Sequence, residues 1–595
     1  MTQSRAYIYE ALPNPDDIRL ILLHPGSLDN DDITCEILLT SLANHPSFEA
    51  LSYTWGTEHK TESIQIGPNA LKITANLHSA LKHLRHVTEI RVLWADAICI
   101  NQADDAERSK QVRIMGNIYS KADRTVVWLG EGFDGDKDAF ALVSKFAQGS
   151  IDDNVQIFIE PLALEDIEVF LKDFNWVVLD ELLSRKWFTR MWVIQEVAVA
   201  REVLVVCGTL CCSWETMEKF AIAILTNVVT YGLSELVLAR TLSNVICISN
   251  IRRAFGRFGK RDVSIWVYLK ATILFLATDP RDRVYSLLGL VLPERLSHLV
   301  VDYTLPWESL YTKLSQEFYQ SGRVFNILSF SGTQRQTAGI TLPSWVVDWS
   351  LDPMIYEFLY SQQELMYDPS QYGFEAGTGS EIYYNISEDS MVLTLRGVIF
   401  DSVATLTEEK WEVPLFIGTG TEAEKIAQRS NKNILFNSCD RIAAQSRPYR
   451  SGDELTKSYS ALLAFGGIPG MSQDELVLGY HNTRTLCRWY ENPEAFMLEF
   501  CNDCNAVKDR YLRHITLWAL GRRFFASSKK YLGWTADATR VGDVICVFYG
   551  ANVPYVLRPN DDGTFKLIGE CYTHGIMKGE ALRMEDLEHQ YIRIT

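Results

Sequence analysis

The stretch Ile90-Arg-Val-Leu-Trp-Ala-Asp-Ala-Ile-Cys-Ile-Asn-Gln102 decides the reading of the fold. It opens as a short apolar run and then presents Asp96, Asn101 and Gln102. A strand that delivers polar residues just past its carboxyl end is how open α/β sheets build ligand sites. On the amino side, Asn76 is placed to cap a helix whose Leu77, Leu81 and Leu84 share one face. On the carboxyl side, Asp104 and Glu107 have capping-box spacing, with Asp in place of Ser or Thr. Val112, Met115, Ile118 and Ala122 then form one apolar helical stripe. Residues 125–129, Thr-Val-Val-Trp-Leu, read as a strand buried on both faces.

Further outward the rhythm repeats. Residues 48–53 are a strand ending at Trp55-Gly56, a helix runs from Trp187 to about Ala200, and residues 203–207 are another strand. Strands alternating with helices predict an α/β domain over residues 48–208, with a sheet of about five mostly parallel strands. Residues 131–186, which open with Gly132, Gly135 and three Asp, interrupt it as an insertion. Asp96 and Asn101 either face a ligand or hold their loop by Asx turns. Residues 52–56 are either a ligand loop or a sharp strand exit. Cys99, between Ile98 and Ile100, reads as an inert buried thiol.

Beyond the α/β domain, residues 209–335 read as helical and 336–410 as β-rich, with strands at 342–349 and 392–400. Residues 411–530 read as mostly helical and 531–595 as a β-rich tail. In that tail, strands at 544–549 and 553–557 flank a Gly-Ala-Asn turn, and Asp561-Asp-Gly563 turns the chain into another. A small closed sheet or barrel is expected there. The largest break in sequence character lies near 330–340.

The bulk numbers narrow the function. A chain of 595 residues exceeds one hydrophobic core. The apolar share of 47% and charged share of 22% are ordinary for globular proteins. A net charge of −18 repels phosphate backbones, so no general nucleic-acid binding is expected. The basic cluster Arg252, Arg253, Arg257, Lys260 and Arg261 reads as a solvated helix face. The start of the chain has no apolar signal region, and the most apolar run, 263–277, contains Lys270 and is too short to span a bilayer. With 12 scattered cysteines, a reducing, cytoplasmic location is expected. Cys501-Asn-Asp-Cys504 has no second CxxC or matched His pair, so no metal site is expected. Phosphate-loop, zincin and nucleophile-elbow motifs are absent from the sequence.

Three runs carry a resemblance. They are Phe48-Glu-Ala-Leu-Ser-Tyr-Thr-Trp-Gly56, then Leu93-Trp-Ala-Asp-Ala-Ile-Cys-Ile-Asn-Gln102 with its continuation to residue 130, then Arg190-Met-Trp-Val-Ile-Gln-Glu-Val197. In order and spacing they resemble the boxes of the heterokaryon-incompatibility (HET) family of filamentous fungi. Later blocks at 279–289, 342–345, 542–546 and 575–579 are similar to segments that follow this domain in many fungal proteins. The resemblance implies non-self recognition and programmed cell death. Its partner would be another protein of an incompatibility system or a second copy of the chain. The alternatives are a non-catalytic signalling or scaffold module that acts by protein–protein assembly, and a regulatory factor encoded beside a metabolic gene set.

HET domains distantly resemble Toll/interleukin-receptor (TIR) domains, some of which cleave NAD at the nicotinamide–ribose bond. That likeness implies a TIR- or flavodoxin-like parallel α/β sheet, with NAD as a substrate and no other cofactor. Matched residue by residue, Leu51-Ser52-Tyr53 falls where the first TIR strand ends, Asp96 where the second ends, and Trp192-Val-Ile-Gln-Glu196 on the helix that carries the catalytic glutamate. The site so implied has Glu196 as the catalytic carboxylate and Ser52, Tyr53, Trp55, Asp96, Asn101 and Trp192 as ligand-binding groups. Trp192 and Glu196 are spaced i, i+4 and share a helix face. The plainer alternative makes Trp192 core and pairs Glu196 with Arg185 or Arg190.

Overall fold

The computed structural model describes residues 5–29, 32–56, 60–146, 176–231, 236–258, 263–292, 299–332, 342–351, 374–377, 379–410, 422–446, 455–464, 471–478 and 521–595, with positions 468, 480, 481, 511, 514, 515 and 519. Most of the expected insertion and the Cys501/Cys504 pair lie outside them. The chain divides into two compact units, Met1–Pro306 and Trp307–Thr595, so the break falls before the stretch where sequence character changes.

In the first unit the strands are β1 (Arg5–Ala6), β2 (Asp17–Leu23), β3 (Thr34–Ser41), β4 (Glu49–Tyr53), β5 (Glu62–Ile66), β6 (Asn69–Ile73), β7 (Arg91–Trp94), β8 (Arg124–Trp128), β9 (Val203–Cys207) and β10 (Leu210–Ser213). They form one sheet in the order β1-β6-β5-β3-β2-β7-β4-β8-β9-β10. Its centre, β7-β4-β8-β9, is parallel throughout. Those four runs are short and apolar because helices cover both faces of a parallel sheet. The expectation of about five mostly parallel strands is too simple. β2 joins β7 antiparallel, β10 joins β9 antiparallel, and β5–β6 is a hairpin.

β2 comes from a region that precedes every motif, and it carries Arg19, which is fully buried. Its guanidinium donates to Glu107 Oε1 at 2.6 Å and to the Cys99 carbonyl at 2.9 Å. A buried charge is tolerated only when paired and hydrogen-bonded in this way. Glu107 also accepts from the Asn101 backbone N–H at 2.8 Å. It therefore does not reach back to Asp104, as a capping box would require. Asp104 alone caps the helix Asp105–Lys121, accepting from Ala106 and Glu107.

Two further expectations are corrected in this unit. Thr74, and not Asn76, caps the helix Ala75–Leu84. Asn76 is then free to donate to the Thr54 carbonyl at 2.6 Å and to accept from Trp128 Nε1 at 3.2 Å. The single helix expected from Trp187 is a 3-10 turn, Lys186–Thr189, followed by the helix Trp192–Ala198. The break arises because residue 276 enters between them. Leu276 N–H donates to the Thr189 carbonyl at 2.5 Å, and Met191 N–H donates to the Leu276 carbonyl at 2.9 Å.

The second unit holds β11 (Tyr384–Ile386), β12 (Leu393–Leu406), β13 (Arg522–Ser527), β14 (Leu532–Ala536), β15 (Val544–Phe548), β16 (Tyr555–Pro559), β17 (Phe565–Thr573) and β18 (His589–Ile594). The circuit β12-β13-β14-β17-β16-β15 closes because β12 also pairs with β15. Register shifts at Ile399/Asp401 and Val403/Thr405 bend the long β12 so that it can serve both ends. Val398, Phe400, Phe525, Val547, Val556 and Ile568 fill the interior. The barrel therefore recruits β13 from a range that reads as mostly helical. Residues 342–349 form turns, not a strand. Trp345 and Val346 are fully buried there, and burial makes a run apolar whatever its backbone does.

Candidate functional site

The parallel arrangement brings the carboxyl ends of β4 and β7 together. Ser52 and Tyr53 end β4, and Asp96 opens the short helix that follows β7. The helix Trp192–Ala198 packs nearby and points Glu196 at them. The Ser52 hydroxyl donates to Glu196 Oε2, and Trp187 Nε1 donates to Ser52 Oγ at 2.8 Å. Ser52 is 1% exposed and Glu196 4%. Thr125 Oγ1 holds the Glu196 backbone carbonyl at 3.2 Å.

A second carboxylate lies alongside. Asp96 accepts from Trp55 Nε1 at 2.8 Å and from the Ala97 N–H at 2.7 Å, and Gln102 braces its carbonyl at 3.0 Å. Trp55 is 37% exposed, so its indole spans from solvent to Asp96. The Tyr53 phenol is buried beside Asp96. Burial first, and then that negative charge, raise its pKa well above the ordinary range.

Burial pushes the Glu196 carboxyl up to about 7, with Asp96 adding to the rise and Arg190 and Ser52 opposing it. Arg190, whose guanidinium donates to the Tyr53 carbonyl, is the positive charge within reach of this group. Trp192 occupies the same helix face one turn before Glu196 and is half-buried.

The structure thus gathers Ser52, Tyr53, Trp55, Asp96 and Glu196, with Trp192 next in line. Asn101 stands apart. Its carboxamide accepts from the Ala103 N–H at 3.3 Å, an Asx turn that shapes the loop. Cys99 is fully buried and its thiol is pushed up to about 12, as suits an inert side chain. Arg252 donates to the carbonyls of Val197, Ala200 and Arg201, and Arg253 pairs with Glu218 at 3.0 Å. Both therefore act within the fold and are not simply solvated. Arg185, one partner considered for Glu196, instead donates to the carbonyls of Leu129 and Glu131.

Sequence reasoning missed Trp187, which looks like any core tryptophan until its N–H finds Ser52. It also missed Asp282, which reads as a helix start with local ion pairs. Arg281 does pair with Asp279 at 2.6 Å, but Asp282 turns inward. Among the described residues, no group of three or more His, Cys, Asp or Glu is placed to hold a metal ion, and no helix is long and apolar enough to cross a membrane.

Comparison with known proteins falls on these same residues. Residues 48–196, from the residue before β4 to Glu196 itself, match the family model for heterokaryon incompatibility protein (HET). That stretch is similar to the HET family. Residues 494–592 match the Het-6 beta-barrel domain, which covers most of the closed sheet of the second unit. The chain is also similar to Heterokaryon incompatibility protein 6, OR allele, of Neurospora crassa. The two are 28% identical over an alignment of 700 residues that takes in 99% of this chain and 98% of the relative. No solved structure matches it.

Proposed function

We propose that this chain acts in fungal heterokaryon incompatibility and that its HET domain drives cell death by cleaving NAD. The first part rests on the similarity to the Neurospora protein of that name. The second rests on one observation, the buried hydrogen-bond chain Trp187–Ser52–Glu196 with Asp96 beside it. It takes up the resemblance of these residues to TIR domains.

In this reading the bond between ribose C1′ and the nicotinamide nitrogen breaks, and its electron pair leaves with neutral nicotinamide. Water then adds to C1′ and releases a proton. Positive charge grows on the ribose as the bond breaks. An ionised Glu196, fixed by Ser52 and shielded from water, is the group that stabilises it. Trp55 and Trp192 would supply aromatic walls, and Tyr53 and Asp96 polar contacts. The direct test incubates the purified full chain with NAD and follows nicotinamide release. Wild type releases it and Glu196→Gln does not. Equal rates in the two, or none in either, remove the enzymatic reading.

A second reading is favoured by the depth of Glu196. A carboxyl that is 4% exposed and hydrogen-bonded to Ser52 also suits a structural pin. In that case the domain does no chemistry and signals by assembling with a protein partner or with itself. Cells expressing the chain would then die with their NAD intact.

A further inference from the structure

The chain leaving β4 is held from two sides. The Tyr53 carbonyl accepts from Arg190, which stands just before the helix of Glu196. The next carbonyl, that of Thr54, accepts from Asn76 Nδ2 at 2.6 Å, and the same nitrogen lies 3.1 Å from Thr54 Oγ1. One residue further, the exposed indole of Trp55 donates to Asp96 at 2.8 Å. Gly56 then turns the chain in the left-handed region, at φ +78°, next to Asn76. On its other side Asn76 Oδ1 accepts from Trp128 Nε1 at 3.2 Å. Trp128 ends β8, is fully buried and packs its ring 5.0 Å from that of His83. An indole N–H can only donate and a backbone carbonyl can only accept, so these partners permit one orientation of the carboxamide. The buried sheet thereby dictates where Asn76 presents its N–H groups.

We infer that Asn76 is a positioning residue of the Glu196 site, which sets the Thr54–Gly56 loop and, through it, where the Trp55 indole stands against Asp96. The helix itself gives Asn76 no task, because Thr74 caps it. An acid in this first turn would suit the helix dipole better than a carboxamide, so the residue type answers to the loop. Trp55 is exposed and would otherwise sample several rotamers. Fixing the backbone on either side of it lowers the ordering cost of any ring that stacks on its indole. The bearing on catalysis rests on the reading of the site given above, in which Trp55 is an aromatic wall; the placement of Trp55 by Asn76 does not.

The experiment labels the full chain with 5-fluorotryptophan and assigns the Trp55 and Trp128 fluorine resonances with Trp55→Phe and Trp128→Phe. Asn76→Asp keeps the shape and the acceptor for Trp128 but sets a carboxylate oxygen against the Thr54 carbonyl. It should move the Trp55 resonance toward that of a solvated indole and shift Trp128 less. Asn76→Ala removes the donor without adding charge and should move Trp55 in the same direction, while the Trp534 resonance in the second unit stays in place. In nicotinamide release, either variant should raise KM several-fold and change kcat by less than about twofold. Neither should raise KM further once Trp55→Ala is present, because both act through that side chain. A Trp55 resonance unmoved by Asn76→Ala overturns the inference. So does an Asn76→Ala effect on KM that persists in full with Trp55→Ala. If wild type does not cleave NAD, the catalytic reading falls while the fluorine spectra still decide whether Asn76 places Trp55.

Discussion

The Ser52 hydroxyl donates to the Glu196 carboxylate across 144 positions of sequence. Between them lie the strands β5, β6, β7 and β8 and the helices packed on them, so the contact exists only when the α/β core has formed. Ser52 also takes the Trp187 indole N–H at 2.8 Å. Ser52→Ala therefore leaves an indole and a buried carboxyl each one partner short. The expected cost is roughly 1–3 kcal/mol of stability. Because the Ser52 bond opposes the raised pKa of Glu196, any pH-dependent step that needs Glu196 ionised should move to higher pH. Chemical denaturation and the pH profile of the variant check the two effects.

Glu196 itself gives the first unit a pH-dependent stability. Its folded pKa of about 7 lies above the ordinary 4.5, so between those values the folded chain holds a proton that the unfolded chain has released. The favourable contribution is complete below pH 4.5 and is lost as pH rises through 7. Glu196→Gln cannot ionise and can still accept from Ser52. It should match wild type near pH 4.5 and exceed it by on the order of 1–3 kcal/mol at pH 8.5. Thermal melts at the two pH values decide this. A variant less stable than wild type at pH 8.5 would show that Arg190 outweighs burial.

Residues before 48 belong to the working domain. Arg19 on β2 holds the loop that follows Asp96, through Glu107 and the Cys99 carbonyl. Arg19→Ala strands Glu107 in a site where it is 11% exposed, at an expected cost of ~3–5 kcal/mol. Hydrogen exchange should show residues 96–107 losing protection before the rest of the sheet. A fragment beginning at 48 should be insoluble, since it leaves β7 without its neighbour β2.

In the barrel, β14 passes β17 without room for a side chain at residue 533. A Cβ there would lie 2.0 Å from the Tyr572 carbonyl oxygen. Gly533→Ala should separate the two strands and lower the melting temperature of the second unit by ~2–4 °C for each kcal/mol lost. Differential scanning calorimetry of the full chain should place that shift in one transition and leave the other unmoved.

The parallel centre of the sheet was legible because β4, β7, β8 and β9 are short, mostly apolar and largely buried runs. The edges were not. β2 carries a buried arginine that no periodicity marks as core, and β13 has only six residues to announce it within a range that reads as mostly helical. Residues 342–349 misled in the other direction, since a buried turn is as apolar as a strand. The site shows the same division. Asp96 stands out as a polar residue just past an apolar run, whereas Ser52 and Glu196 were marked only by the resemblance to TIR domains. Trp187 and Asp282 do not stand out, because an indole N–H and an inward-turned carboxyl acquire their meaning only from partners distant in sequence.

The most direct measurement expresses wild type and Glu196→Ala at equal levels in fungal cells and follows NAD content and viability together. The account predicts that wild type depletes NAD before viability falls, and that Glu196→Ala, present in equal amount and folded, does neither. Equal killing by the two proteins with NAD intact would contradict it and leave the domain as a signalling module without chemistry.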